Sequence, residues 1–168
     1  MVCMRFNKGA YALINALLLL VLGACGAQVN QLDPALLEKA EGAREVSLTW
    51  LSEAITASND LSERSSLQRI KGILEERAIL AAPSDYKEIC DQHGTAAFVI
   101  DDLSSSYIYL CEGVGETSKS ALAQILIHEA THIHGERDEC NTTRWELKIM
   151  DLAARIPHKN AYVDECGL

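Results

Sequence analysis

Apolar residues recur at helical spacing in four stretches of this chain and in short strand-like runs in two. Asp33-Pro34 opens the first helix: the aspartate can cap free N–H groups, and proline sits where its missing N–H is harmless. Leu36, Ala40, Ala43, Trp50 and Ala54 follow at helical spacing, predicting a helix to about Thr56 that Gly42 weakens. A second helix follows Ser58-Asn59-Asp60, with Leu67, Ile70, Ile73, Leu74 and Leu80 as its apolar stripe and Pro83 as its stop. Its charges read as a solvated face, and neither helix suggests chemistry.

Beyond Pro83 the period shortens. Residues 95–100 and 107–111 are strand-like, and the turn-rich 101–106 between them predicts a hairpin. Residues 112–116 form a loop, and Thr117 or Ser118 can cap the helix that follows. That helix is apolar nearly all round over 121–127, which marks an element buried in the middle of its domain. The last helix is expected from Asp138 or Glu139 to Arg155, with Trp145, Ile149, Leu152, Ala153 and Ile156 facing the core. The expected class is α+β, mainly helical, with a small β-hairpin or sheet packed on the central helix.

Within that buried helix the chain reads His128-Glu129-Ala130-Thr131-His132, then Gly135, then Asp138-Glu139. Residues four apart on a helix share a face, so His128 and His132 can offer two imidazole nitrogens to one ion. Glu129 lies beside them, placed to take a proton from an activated water. Two histidines and a glutamate in an apolar helix are costly unless they have partners. A catalytic zinc site uses three protein ligands, so one more is needed. Gly135 suits the left-handed turn that ends a helix, letting the chain fold back. Stepping seven residues back from Trp145 reaches Asp138, and the same step from Glu146 reaches Glu139. If the Trp145 face packs inward, Asp138 is the third ligand, Glu139 is its alternative and Glu146 a more distant one. Asp138 could instead serve only as a helix cap.

The start of the chain adds a destination. Arg5 and Lys8 precede an apolar run from Ala10 to Leu22, whose length and flanks fit an export signal better than a membrane span. The run ends Leu22-Gly23-Ala24-Cys25, which resembles the lipobox of bacterial lipoproteins. That resemblance implies cleavage after residue 24 and lipid on Cys25. With Gly26 next, it also implies a protein at the outer membrane, facing the periplasm or the surface. Residues 25–32 would be a tether and 33–168 a single domain. Losing residues 1–24, with two bases and no acid, takes the formal charge from −9 to −11. So acidic a chain argues against nucleic acid as a partner and leaves lipid as the membrane contact. Cys90, Cys111, Cys140 and Cys166 remain, an even number that reads as two disulfides in an oxidising compartment. Sequence proximity favours Cys90–Cys111, closing the hairpin, and Cys140–Cys166, tying down the C-terminus. Cys140 as a metal ligand is the alternative.

The site region resembles known zinc proteases. His128-Glu129-x-x-His132-x-x-Gly135-x-x-Asp138 has metzincin spacing with aspartate in the last place, as in snapalysin-like enzymes. A wider stretch is similar to the aspzincins, the deuterolysin and peptidyl-lysine metalloendopeptidase group. Ile108-Tyr109-Leu110-Cys111 matches their strand, Ile127 to His132 their helix, and Gly135 to Asp138 their turn. The resemblance covers about residues 95–142. It implies a zincin-like fold, one zinc ion on His128, His132 and Asp138, and Glu129 as general base. Where the group has Tyr-Gly after its aspartate, this chain has Asn141-Thr142, so the tyrosine that stabilises the transition state is missing. His134, Tyr109, Tyr162 and His158 are the candidate replacements.

The expected function is therefore hydrolysis of peptide bonds in a protein or peptide substrate by a lipid-anchored zinc endopeptidase. The alternative is a lipid-anchored binding or structural protein with a vestigial zincin site. A third reading makes His128, Glu129 and His132 a buried polar network.

Overall fold

The structure is a computed structural model that describes residues 31–92, 95–100, 107–159 and 161–168. The expected export signal, the lipidation at Cys25, most of the tether and the 101–106 turn lie outside the described residues. Leu32, expected in the tether, is instead buried in the core.

Asp33 caps the first helix, α1 (Pro34–Ala57), accepting from the N–H groups of Ala35 and Leu36 at 3.0 and 3.1 Å. Its inner face is Ala40, Ala43, Ser47, Trp50, Leu51 and Ala54. Gly42 leaves room for a neighbour: a Cβ there would lie 3.0 Å from the Lys119 ammonium. Asp60 caps α2 (Leu61–Glu76), which buries Leu67, Ile70 and Leu74. This helix ends well before Pro83. Ile79–Ala81 leaves it to form strand β1, which runs parallel to a strand 29 residues further along the chain, a separation ample for the dozen or so residues that a parallel crossover needs. The short apolar run at 79–82 fits either element, and pairing decides between them.

The expected hairpin strands are present as β2 (Ala97–Val99) and β3 (Ile108–Leu110), antiparallel, with Phe98 opposite Tyr109. With β1 they make a three-stranded sheet in the order β1-β3-β2, so β2 is an edge among the described strands. Ile108 and Leu110 point into the core, while Phe98 stacks on Tyr109 at 5.3 Å. The Cys90–Cys111 disulfide joins a one-turn helix, α3 (Lys87–Cys90), to the end of β3, rather than joining the hairpin's own strands.

The motif helix, α4 (Lys119–His134), is the centre of the fold. Ser118 caps it, accepting from the Ala121 N–H at 3.2 Å. It packs against α1, α2, the sheet and the following helix, α5 (Glu139–Leu152). Leu122, Leu126 and Ile127 are fully buried, each contributing roughly 1.5–3 kcal/mol of transfer free energy. Ser47 Oγ donates to the Ala123 carbonyl at 2.9 Å, fastening α1 to α4.

The face of α5 differs from expectation. It buries Thr142, Thr143, Glu146, Ile149 and Met150; Trp145 and Leu152 are half-buried, and Ile156 is 91 % exposed. The helix also stops at Leu152, short of Arg155. Its inner face is polar towards its N-terminus because it packs there against the histidines of α4. The last helix, α6 (Ala161–Glu165), is tied to the start of α5 by Cys140–Cys166, the pairing expected. The fold is thus α+β, helix-rich, with one small sheet.

Candidate metal centre

α4 places His128 and His132 one turn apart, with ring centroids 4.9 Å apart. Gly135, with φ at +120°, then ends the helix in a conformation that side chains rarely adopt. The turn that follows brings the first residue of α5 back over both rings. That residue is Glu139. Its Oε2 lies 3.0 Å from His128 Nε2 and 3.3 Å from His132 Nε2, and the two nitrogens are 3.2 Å apart.

Asp138 is not the third member of this group. Its carboxylate caps α5, accepting from the Asn141 N–H at 2.8 Å. The expectation followed from placing the Trp145 face inward. Because Glu146 faces inward instead, the residue seven before it, Glu139, reaches the histidines. Cys140 is in its disulfide and is not a ligand.

The other nitrogen of each ring is committed. His132 Nδ1 donates to the Glu136 carbonyl at 2.7 Å, with Thr142 Oγ1 3.3 Å away. His128 Nδ1 donates to Glu146 Oε2 at 2.8 Å, and Glu146, only 1 % exposed, also accepts from the Gln124 amide through Oε1. These acceptors hold the proton of each neutral imidazole on Nδ1 and leave a lone pair on Nε2. Two such lone pairs and a carboxylate oxygen converging in one place need a cation among them. His128, His132 and Glu139 could therefore hold a metal ion.

The electrostatics agree with that demand. Burial opposes the charged form of His128, but hydrogen bonds to Glu139 and Glu146 outweigh it and raise its pKa to about 10. His132 is also raised: burial opposes, while Glu139 and the Glu136 carbonyl prevail. Hydrogen bonds from both histidines hold Glu139 down at about 2. Without a metal, protons supply the positive charge.

Glu129 stands beside the group. It is 6 % exposed, and burial pushes its carboxyl up to about 7 against the pull of His128 and His132. It lines a cleft of about 1010 Å³ together with His128, His132 and Glu139. Its lining includes the segment 95–100, which contains β2, and also His158, Lys159, Tyr162 and Glu165. The strand lining the cleft is thus β2, not the β3 that directly precedes the motif helix. Of the four candidate donors, Tyr162 and His158 line the cleft. Tyr109 lies in the aromatic stack of the sheet, and His134 lies near Arg69 of α2.

Sequence reading overlooked Gln124 and ranked Glu139 and Glu146 too low. A signal was present: Gln124, His128 and His132 make a polar line at four-residue spacing on an otherwise apolar helix, and such a line needs a polar counterpart opposite. No protein-family model matches the chain, and no curated protein or solved structure matches it, so what the centre can do follows from its own residues.

Proposed function

We propose that this chain is a zinc-dependent endopeptidase with a zincin-like fold, similar to the aspzincins in its motif helix but with Glu139 in place of their aspartate ligand, exported and held at a membrane by lipid on Cys25. The observation that carries the reading is the triangle of His128 Nε2, His132 Nε2 and Glu139 Oε2, with sides of 3.0, 3.2 and 3.3 Å. Ligands of a tetrahedral zinc ion at about 2.0–2.1 Å stand about 3.3–3.4 Å apart, close to that spacing. The donors also suit zinc: two imidazoles and one carboxylate, with the cleft on the open side. A bound zinc ion would supply Lewis acidity, lowering the pKa of water and polarising a carbonyl.

The chain's own residues supply the rest. Glu129 accepts a proton from the attacking water and passes it to the leaving nitrogen as the C–N bond breaks, giving an acid and an amine. Glu146 and the Glu136 carbonyl orient the two imidazoles. The edge strand β2 lines the cleft, where an extended peptide could add as a further strand. The two disulfides support an oxidising, extracytoplasmic location.

The test is metal analysis and casein cleavage by the parent chain and by Glu129→Gln. Both should bind one zinc ion, and only the parent should cleave. Cleavage by the variant at the parental rate would refute Glu129 as the base, and a chain that binds no zinc would refute the proposal as a whole.

A further inference from the structure

The C-terminal residues after α5 line the cleft and are fastened at two points. Gln124 of α4 grips the backbone of His158 twice, accepting from its N–H at 2.7 Å and donating to its carbonyl at 2.9 Å. Further on, Cys166 is bonded to Cys140, next to Glu139. Tyr162 lies between the two anchors. It is four residues before Cys166 in the same helical turn, and the Cys166 N–H donates to its carbonyl at 2.8 Å. Residues so spaced share a face, so the disulfide that pins Cys166 also aims Tyr162. Its ring lies parallel to His128, with centroids 5.8 Å apart and planes 9° apart, and it lines the cleft.

We infer that Tyr162 is a catalytic residue of this site: its phenol donates a hydrogen bond to the substrate's carbonyl oxygen as negative charge develops there, and the Cys140–Cys166 disulfide positions it. The inference rests on the hydrolase reading. Gln92, Thr95 and Thr117 also line the cleft, but Tyr162 is the neutral donor whose ring stacks directly on His128, and the other groups beside the histidines have no proton to spare. Glu129, Glu139 and Glu146 accept, the Nδ1 protons are committed, and His158 Nε2 is engaged by Ser120 Oγ at 2.8 Å. A phenol held by a stacked ring and a covalent tether loses little entropy on donating, which is the form of preorganisation that favours the transition state.

Tyr162→Phe keeps the stacked ring and removes only the hydroxyl. With zinc bound, kcat on a peptide substrate should fall by roughly 10²–10³-fold, with KM and zinc content unchanged. A phosphinic peptide, whose oxygens mimic the tetrahedral intermediate, should bind more weakly by a similar factor in calorimetry. Cys140→Ser combined with Cys166→Ser should lower kcat in the same way while zinc stays bound. Unchanged kcat and phosphinate affinity in Tyr162→Phe would overturn the assignment, as would a change in KM alone. Unchanged kcat without the disulfide would overturn its positioning role. If the zinc-loaded parent neither cleaves peptides nor binds the phosphinate, the hydrolase reading itself fails and this assignment fails with it.

Discussion

Replacing Glu146 with glutamine tests whether the acceptor behind His128 governs metal binding. The substitution keeps shape and volume at a residue only 1 % exposed, so it opens no cavity. It changes hydrogen-bond logic instead. Both oxygens of Glu146 face donors: Oε2 faces His128 Nδ1 at 2.8 Å, and Oε1 faces the amide of Gln124. A carboxamide accepts at one end and donates at the other, so one N–H must meet another. Gln124 cannot turn over to relieve the clash, because its oxygen and nitrogen are both held by the backbone of His158. If the new NH₂ faces His128, the imidazole proton must move to Nε2, and the lone pair aimed at the metal is lost. Partners that orient a ligating histidine are typically worth about 10–100-fold in metal affinity. That range corresponds to roughly 1.4–2.7 kcal/mol. Competition against a chromophoric zinc chelator at neutral pH would measure it, with circular dichroism to show that both proteins are folded. Zinc affinity within a factor of two of the parent, in a folded variant, would refute this account of the site.

Three further outcomes follow from the same geometry. Glu139→Ala should lower zinc affinity by more than the roughly 100-fold that an outer partner commands, whereas Asp138→Ala should keep zinc and lose about 1 kcal/mol of stability with the helix cap; chelator competition and urea melts separate them. Thr143 Oγ1 is buried without a hydrogen-bond partner among the described residues, so Thr143→Val should be neutral or raise stability by about 1 kcal/mol, read as a higher Tm. The Lys148 hydrogen bond holds the Glu63 carboxyl below its usual value, a link between α5 and α2. A depressed carboxyl adds stability above its unfolded value near 4.5, and that stability is lost as pH falls through the folded value. Urea midpoints of the parent and Glu63→Gln should therefore converge as the solution is acidified below about pH 4.5; a constant gap would show that the pair adds no pH-dependent stability.

What could be read along the chain was local. Asp33, Asp60 and Ser118 cap helices because their short side chains can turn back onto free N–H groups, whatever packs nearby. Gly135 ends α4 because φ of +120° excludes most other residues, and the two histidines share a face because the helical repeat puts them there. Both disulfides join the cysteines nearest one another in sequence. Contacts between distant elements settled the rest. Ile79–Ala81 is a strand because β3 offers it an edge, although its apolar residues continue the stripe of α2. The inward face of α5 was the decisive case: hydrophobicity points to Trp145, but the histidines of α4 demand a carboxylate, and a buried Glu146 turns the helix so that Glu139 completes the group. A polar face buried against polar partners has no signature in hydrophobic periodicity, because its stability lies in hydrogen bonds that exist only after the helices meet.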